Sequence, residues 1–329
     1  MRYKHLDSAG VDLSVLGVGT WALGNFGYGT VTEKDSINAI HAMFEHGVNL
    51  IDTAPVYGEG CSEEVVGKAL KGCDRTRLLI SSKFGIGNTT AKQMRYPSKE
   101  PLRDGSYPNV LFECEQSLRR LGTDYIDFYF VHWPDYDTPL AETMEALNTL
   151  KAQGKIRFIG LSNFDREQIQ ECQKFAQIDV IQPPFSMVVR RDEPLMKWAM
   201  ERGIDAMTYG SLGAGILTGT FRTLPQFGAD DPRSSFYPFF QEPQFSKVMK
   251  VLAVMDQISA RTGKPLPQIA LNWTTQQPFV ATALCGVRNP AEADENCAAF
   301  DWSLTETDMT ELNRAIGTYI DFDGSAPMR

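Results

Sequence analysis

The chain has 329 residues, of which 43% are hydrophobic and 22% charged, and its 32 Lys and Arg against 41 Asp and Glu give a formal net charge of −9 at pH 7. This composition is typical of a folded enzyme and excludes collagen-like, disordered and coiled-coil chains. The acidic balance also argues against nucleic acid as a partner, because phosphate backbones are held by clusters of lysine and arginine.

No segment resembles a signal peptide or a membrane helix. Residues 1–7 lack an apolar run, and no later run approaches about 18 apolar residues. We therefore predict a cytoplasmic protein without a membrane partner. The six cysteines are dispersed and the four histidines show no ligand spacing, which predicts reduced thiols and no metal site.

Short apolar runs typical of β-strands alternate with longer segments of helical period along the chain. The first two runs, residues 2–6 and 12–15, predict an N-terminal hairpin. Eight further runs predict strands at residues 16–19, 48–52, 78–83, 126–132, 156–161, 180–182, 204–208 and 280–284.

Helices are predicted between these strands, and three of them have clear start signals. Thr32 and Ser62 are each followed by acidic residues, as N-cap residues often are, and Pro139 suits the start of a third helix. In the first of these helices, Ile37 and Ile40 begin an apolar stripe with a spacing of three to four residues.

Eight strand–helix repeats predict an α/β chain with a single domain, residues 1–329, folded as a (β/α)₈ TIM barrel with the hairpin at its N-terminus. A doubly wound sheet rarely needs so many repeats. Long connections at residues 85–108 and 212–244 then leave the carboxyl ends of barrel strands, the face where active sites form in this architecture. The second connection carries Phe221, Phe227, Phe236, Tyr237, Phe239 and Phe240. It is predicted to be either a substrate lid or packing on the barrel rim.

Four polar residues are predicted to meet at this face. Asp52, Lys83 and His132 end three consecutive barrel strands, and Tyr57 follows Asp52 in the next loop. Neighbouring strands lie about 4.8 Å apart, so these side chains can converge. Each alone is more typical of a turn or a solvated charge, but together they form a set of groups able to transfer a proton.

These residues belong to longer stretches that resemble the aldo-keto reductase family over nearly the whole chain. The matching stretches are residues 16–21, 47–54, 57–58, 83, 124–127, 131–134, 154–157 and 160–164. The resemblance implies an NAD(P)H-binding (β/α)₈ barrel. It also implies a catalytic tetrad, whose four positions are Asp52, Tyr57, Lys83 and His132.

The chemistry of these groups agrees with that implication. Reducing a carbonyl by hydride transfer builds negative charge on its oxygen, which a nearby acid must neutralise. Tyr57 is the expected acid, with Lys83 lowering the pKa of its phenol. Asp52 is expected to keep Lys83 protonated, and His132 to position the carbonyl through its ring N–H.

The resemblance also implies the coenzyme contacts. Ser162, Asn163 and Gln182 hold the nicotinamide carboxamide, and Tyr209 stacks on the nicotinamide ring. The other implied contacts are Gly19, Thr20, Trp21 and Asp52 at the first two strand ends, Gly210, Ser211, Leu212, Gly213, Gly215 and Leu217 in a loop that approaches the pyrophosphate, and Gly286, Arg288, Glu292, Glu295 and Asn296 around the adenosine.

The coenzyme preference depends on two residues of the last group. Arg288 can meet a 2′-phosphate with its guanidinium, which favours NADP. Glu292 would repel that phosphate and can accept hydrogen bonds from an unphosphorylated ribose, which favours NAD. We expect NADP, with NAD as the open alternative.

A competing motif lies at residues 17–22, which fit the Gly-x-Gly-x-x-Gly/Ala pattern of a Rossmann fold. Three more glycines follow, and they are unsuited to the start of the helix that this fold requires. We therefore reject the Rossmann interpretation.

The predicted substrate contacts are Trp21, Phe26, Tyr57, His132 and Trp133. Trp133, with Asp135 and Asp137 close behind it, suggests a sugar-like substrate, because aromatic faces suit sugar C–H groups and carboxylates suit hydroxyls.

The sequence thus predicts an NAD(P)H-dependent oxidoreductase that interconverts a small aldehyde or ketone with its alcohol. One alternative is a coenzyme-binding regulatory subunit of the same fold with little turnover. Another is a lyase or isomerase that uses Lys83 as a Schiff-base nucleophile, which would require a lowered lysine pKa. The physiological substrate, the reaction direction and the oligomeric state stay open.

Overall fold

The fold is a closed barrel of eight parallel strands, seen in a computed structural model that describes residues 1–24, 31–87, 102–228, 231 and 233–324. A hairpin of β1 (Tyr3–Leu6) and β2 (Val11–Ser14) precedes it. The barrel strands are β3 (Leu16–Gly19), β4 (Leu50–Asp52), β5 (Leu79–Phe84), β8 (Ile126–Val131), β9 (Ile156–Ser162), β10 (Val180–Gln182), β11 (Asp205–Thr208) and β12 (Thr282–Gly286). A short antiparallel ribbon of β6 (Ile86–Gly87) and β7 (Leu102–Arg103) follows β5. Because β12 pairs with β3, the ring closes and the predicted barrel is confirmed.

Helices connect the barrel strands. The α-helices of the described residues are Glu33–Glu45, Cys61–Leu70, Tyr107–Leu121, Leu140–Ala152, Arg166–Cys172, Glu193–Met200, Arg233–Phe236, Gln244–Thr262, Leu266–Thr275, Pro290–Cys297 and Glu306–Tyr319. Short 3₁₀ helices are Trp21–Gly24, Arg75–Arg77, Gly213–Thr218, Pro238–Phe240 and Ala298–Asp301. Within the described ranges, every helix is too short or too polar to traverse a lipid bilayer.

Two of the three predicted helix starts are confirmed. The hydroxyl of Thr32 accepts a hydrogen bond from the backbone N–H three residues on, and a helix begins directly after Pro139. The prediction for Ser62 is wrong, because its helix starts one residue earlier, after Gly60 in a left-handed conformation (φ 95°). The Ser62 hydroxyl instead donates to Oγ1 of Thr20 at 2.7 Å. It therefore joins a helix to the end of β3.

Two strands begin two residues later than the apolar pattern predicts. The N–H of Val48 donates to the carbonyl of Met43 and closes the preceding helix, so β4 begins only at residue 50. The N–H of Val280 likewise donates to Gln277 in a turn before β12. Both valines are buried, so their hydrophobicity indicates burial rather than strand conformation.

Apolar side chains fill the barrel, and the hairpin closes its N-terminal end. The cluster contains Leu6, Leu13, Leu50, Leu79, Phe128, Phe130, Val180, Met207, Ala281 and Leu284. Gly160 lies beside Phe130 in the sheet, and a Cβ at Gly160 would be 2.3 Å from that ring. The absence of a side chain at this position leaves room for the aromatic ring in the barrel interior.

The aromatic residues of the connection at 212–244 pack on one another. Phe239 and Phe240 are buried. Phe227 lies 4.9 Å from the Phe240 ring and 5.7 Å from the Phe221 ring, measured between centroids. Of the two predicted interpretations of this segment, packing on the barrel rim is the one that these contacts support.

Candidate active site

A buried ion pair lies at the C-terminal mouth of the barrel. Nζ of Lys83 is 2.6 Å from Oδ2 of Asp52, and the two side chains are 1% and 4% exposed. Lys83 also donates to the carbonyl of Thr53 at 3.0 Å. The other carboxylate oxygen of Asp52 accepts hydrogen bonds from Ser81 Oγ at 2.7 Å and Gln182 Nε2 at 2.9 Å. The pair is thus fixed from β4, β5 and β10 together.

Asp52 keeps Lys83 charged. Burial alone lowers the pKa of the ammonium, but the charges and hydrogen bonds of Asp52 and Tyr57 outweigh burial and raise the pKa above its usual 10.5. This direction agrees with the prediction for Asp52. Lys83 is therefore an ammonium throughout the neutral range.

The rings of the site gather around this ammonium. Nζ of Lys83 is 4.9 Å from the centroid of the Tyr57 ring. His132 meets the same ring edge-on, with 5.9 Å between centroids, and Trp21 stacks against it at 6.4 Å. Tyr57 and His132 are both partly exposed. The four tetrad positions and the predicted pocket residue Trp21 thus form one cluster.

The structure corrects the expected titration of Tyr57. Burial raises the pKa of the phenol, the charge and hydrogen bond of Lys83 lower it, and the net direction is upward from the usual 10. Lys83 therefore acts in the predicted sense, but desolvation of the phenolate is the larger effect. Tyr57 is protonated at neutral pH.

His132 carries no charge at neutral pH. Burial, followed by the nearby charge of Lys83, holds the pKa of its imidazole well below the usual 6.5. A neutral ring keeps one N–H as a hydrogen-bond donor. The backbone of His132 is also fixed, because its N–H donates to the carbonyl of Phe84 and its own carbonyl accepts from Asn163 Nδ2 at 3.0 Å.

The residues implied for the carboxamide form a connected network beside the tetrad. Asn163, in a left-handed conformation (φ 63°), donates to Ser162 Oγ at 3.0 Å. Ser162 Oγ donates to the carbonyl of Gln182 at 3.0 Å, and the hydroxyl of Tyr209 donates to Asn163 Oδ1 at 2.9 Å. Since Gln182 also binds Asp52, this network and the ion pair share a residue.

The loop after β11 fits a phosphate-bearing ligand. It contains the implied residues Gly210, Ser211, Leu212, Gly213, Gly215 and Leu217. Gly213, Ala214 and Gly215 have consecutive positive φ angles of 56°, 51° and 94°, and the N–H groups of Gly213 and Gly215 donate to the carbonyls of Gly210 and Leu212 within the loop. The hydroxyl of Ser211 is buried and has no hydrogen-bond partner among the described residues. An unpaired buried hydroxyl is costly, so a ligand that supplies a partner would stabilise this loop.

Arg288 and Glu292 bind each other. The guanidinium donates to Glu292 Oε1 from Nη2 at 2.6 Å and from Nε at 3.0 Å, and the Arg288 backbone N–H donates to Oε2 at 2.9 Å. The residue predicted to bind a 2′-phosphate and the residue predicted to bind the ribose therefore form an ion pair with each other. Of the other implied adenosine contacts, Gly286 pairs with Gly19 across the barrel seam, Glu295 is exposed and Asn296 is buried.

Thr20 is held by hydrogen bonds within the protein. Its side chain is fully buried, its N–H and Oγ1 both donate to the carbonyl of Asp52, at 3.1 and 2.9 Å, and Oγ1 also accepts from Ser62. The coenzyme contact implied for this residue stays a prediction. Thr20 joins the ends of β3 and β4.

The buried carboxylate of Asp135 forms a turn. One of its oxygens accepts from the Asp137 N–H, and the other accepts from Gly105 N–H and Thr138 Oγ1. These bonds give Asp135 a structural role, and its contact with a sugar stays a prediction. The predicted substrate residue Trp133 is half-buried and follows His132 in the chain, whereas Phe26 lies outside the described residues.

Two residues of the site escaped the sequence analysis. Ser81, which binds Asp52, lies two positions before Lys83 on the same strand, and that spacing could have revealed it because alternate residues face one side. Arg103 lies in a long irregular connection, near Trp133, and no pattern marked it. Across the described residues, no group of three His, Cys, Asp or Glu side chains is arranged to hold a metal ion.

Comparison with known proteins agrees with this geometry. The model of the aldo/keto reductase family matches residues 15–316. The chain therefore belongs to the aldo/keto reductase family, as the motifs indicated, and is an oxidoreductase that acts on carbonyl groups.

Individual relatives are similar over nearly their full length. The aldo-keto reductase YhdN of Bacillus subtilis (strain 168) is 36% identical over 316 residues, covering 95% of this chain and 93% of that protein. The NADH-specific methylglyoxal reductase of Escherichia coli (strain K12) is 34% identical over 319 residues, covering 94% and 97%. Among solved structures, the glycerol dehydrogenase AKR11B4 from Gluconobacter oxydans has a TM-score of 0.86 at 33% identity, covering 98% of this chain and 96% of that one.

Proposed function

We propose that this chain interconverts an aldehyde or ketone with its alcohol, with Tyr57 as general acid and base and NADP(H) as the coenzyme, NAD(H) being accepted as well. The observation that carries the proposal is the buried pair of Lys83 and Asp52, 2.6 Å apart, beside the Tyr57 ring. A permanent cation next to a phenol is suited to stabilise the phenolate that remains after proton transfer.

Each group then has a defined task in the reduction. The coenzyme, when bound, would supply the hydride that reduces the carbonyl carbon. Tyr57, protonated at neutral pH, donates its proton to the carbonyl oxygen as negative charge develops there. Lys83 stabilises the resulting phenolate, and the neutral ring of His132 donates a hydrogen bond that orients the carbonyl.

The raised pKa of Tyr57 determines how each direction depends on pH. Reduction uses the protonated phenol, which predominates below the folded pKa. Oxidation of the alcohol requires the phenolate as base, so its rate should increase as the pH rises towards that pKa. The two directions should therefore have opposite pH dependences.

The proposed coenzyme site uses residues around the tetrad. Ser162, Asn163 and Gln182 would hold the carboxamide and Tyr209 the face of the nicotinamide ring. In the loop after β11, the buried and unpaired hydroxyl of Ser211 supports a contact with the pyrophosphate. The 2′-phosphate would have to displace Glu292 from the Arg288 guanidinium, which is why NAD(H) is included. The E. coli relative is named as NADH-specific.

The electrostatic environment of Lys83 is unsuited to a Schiff-base nucleophile. Such a lysine must be neutral to attack a carbonyl, whereas the ion pair raises the pKa of this ammonium. For the regulatory alternative, in which the coenzyme binds without turnover, no separate observation speaks in its favour.

Replacing Tyr57 with Phe tests the proposal. The Tyr57→Phe change removes only the phenolic oxygen, so kcat for aldehyde reduction should fall by about 10²- to 10⁴-fold, with NADPH affinity from fluorescence titration within about threefold of wild type. Tyr3→Phe is the matched control, because that hydroxyl binds the Gly47 carbonyl far from the tetrad. Normal turnover in Tyr57→Phe would contradict the assigned role.

A further inference from the structure

Arg103 lies on the same face of the barrel as the tetrad. It is the last residue of the ribbon of β6 and β7, which leaves the end of β5 directly after Lys83. The ribbon approaches the Tyr57 loop as well, since a Cβ at Gly87 would lie 3.5 Å from the Val56 side chain. The ribbon therefore borders the cleft beside the acid and its lysine.

Two aromatic rings flank the guanidinium of Arg103. Its Cζ is 5.2 Å from the centroid of the Trp133 ring and 5.8 Å from that of Tyr136. Trp133 directly follows His132, and Tyr136 is 75% exposed. Contact with aromatic faces restricts a planar guanidinium while its N–H groups at the edge stay able to donate.

Arg103 is short of hydrogen-bond acceptors. Within the described ranges, the guanidinium makes one hydrogen bond, from Nη1 to the carbonyl of Pro134 at 3.2 Å, and no carboxylate forms an ion pair with it. A guanidinium has five N–H donors. Buried carboxylates hold other arginines of the chain, as Glu63 holds Arg120 at 2.6 Å.

The charged neighbours of Arg103 are held by other partners. The hydrogen bonds that the buried carboxylate of Asp135 accepts come from Gly105, Asp137 and Thr138 rather than from Arg103. Lys83 is neutralised by Asp52, and His132 is uncharged at neutral pH. An anionic group that enters the cleft near Trp133 would therefore meet the guanidinium of Arg103 as an unpaired cation.

We propose that Arg103 is a specificity-determining residue that binds an anionic oxygen group of the substrate, a carboxylate or a phosphate, so that the chain prefers carbonyl compounds with a negative charge. This inference rests on the proposed function, because it names the substrate class of the same site. A guanidinium fork suits both groups: a carboxylate is bound by two parallel N–H···O bonds and a phosphate in a similar way.

Paired substrates test the inference. The carboxylate pair is 4-carboxybenzaldehyde and methyl 4-formylbenzoate, which differ in charge at the position away from the aldehyde. The phosphate pair is glyceraldehyde 3-phosphate and glyceraldehyde. Wild type should show the higher kcat/KM with the charged member of at least one pair, and the pair that responds distinguishes carboxylate from phosphate. A preference for the neutral member of both pairs would overturn the inference.

Substitution of Arg103 then assigns the effect to that side chain. In Arg103→Gln, kcat/KM for the preferred anion should fall by about 10- to 100-fold, mainly through KM, as expected for loss of a charge-assisted hydrogen bond. The neutral partner should change less than about threefold. Arg103→Lys should retain part of the preference, and Arg119→Gln, a change of an exposed arginine on the helix Tyr107–Leu121, should retain all of it.

The possible failures are distinguishable. Equal loss with charged and neutral substrates in Arg103→Gln would mean a structural role for Arg103 and would overturn the inference, as would no loss with either. If wild type binds NADPH but reduces none of the four aldehydes, the proposed function fails instead. If the neutral aldehydes are reduced and Arg103→Gln has the same kcat/KM values as wild type for all four substrates, the proposed function stands and only the role of Arg103 is rejected.

Discussion

Removing Lys83 should destabilise the protein through the carboxylate that it leaves behind. In Lys83→Met, Asp52 stays 4% exposed, with Ser81 and Gln182 as neutral donors but without its cation. Breaking a buried pair in this way costs about 3–5 kcal/mol. Taking up a proton at pH 7 costs an ordinary aspartyl side chain, with a reference pKa of about 3.9, roughly 4 kcal/mol. The two routes give the same magnitude, about 4 kcal/mol.

The loss is measurable as a shift in Tm. A chain of 329 residues has an unfolding entropy of about 0.7 kcal/mol per degree, at roughly 2.1 cal/mol/K per residue. Lys83→Met should therefore lower Tm by about 6 °C in calorimetry at pH 7, and by less at pH 5, where the lone carboxyl is protonated more readily. Because the folded pKa of Lys83 is raised, its contribution is complete below about pH 10.5 and is lost only as the pH rises through the folded value.

Two further variants separate the pair from the packing of the lysine stem. Asp52→Asn combined with Lys83→Met removes both charges and should recover at least half of the lost Tm. Lys68→Met breaks the pair with Glu33, in which the side chains are 45% and 53% exposed, and should cost less than about 1 kcal/mol. A Lys83→Met protein within 2 °C of wild type, or a double variant no more stable than the single one, would refute the reasoning.

Two other predictions follow from close contacts and charge. Gly160→Ala should lower stability by about 1–3 kcal/mol, because its methyl group would lie 2.3 Å from the Phe130 ring; Gly317→Ala, in open space on a helix, should raise stability by about 0.5–1 kcal/mol. If both glycine variants shifted Tm in the same direction in thermal unfolding, this reasoning would be contradicted. Glu292→Gln should release Arg288 and tighten NADPH binding about tenfold in fluorescence titration, with NADH within about twofold; an equal change for both coenzymes would show that the pair does not discriminate.

The barrel was predictable because each strand carries its own apolar run. Residues 180–182 are recovered with the observed ends, whereas β4 starts two residues late because the N–H of Val48 closes a helix turn. Hydrophobicity indicates that a residue is buried, and an apolar residue such as Val48 can be buried in a helix turn as well as in a strand. Ser62 failed for a related reason: a serine before acidic residues can cap a helix, but here a contact with Thr20, 42 positions away, uses its hydroxyl.

Motifs pointed to the four residues that the structure brings together at the barrel mouth, but the electrostatics of these residues were not accessible from the sequence. The upward shift in the pKa of Tyr57 depends on how much water the finished cleft excludes, and residue spacing carries no such information. Asp135 illustrates the same limit. Its position predicts a carboxylate near the cleft, whereas its role in a turn depends on a hydrogen bond from Gly105, a residue 30 positions earlier in the chain.

The carboxylate of Asp52 connects two parts of the site that are usually considered separately. Its Oδ2 holds the lysine behind the acid, and its Oδ1 is held by Gln182, which also belongs to the network beside Asn163 and Tyr209. If Gln182 holds the nicotinamide as proposed, a mutation at this residue would therefore also disturb the electrostatic support of the phenol. A change of coenzyme preference is better sought at the proposed adenosine contacts Arg288 and Glu292, which share no hydrogen bond with Asp52 among the described residues.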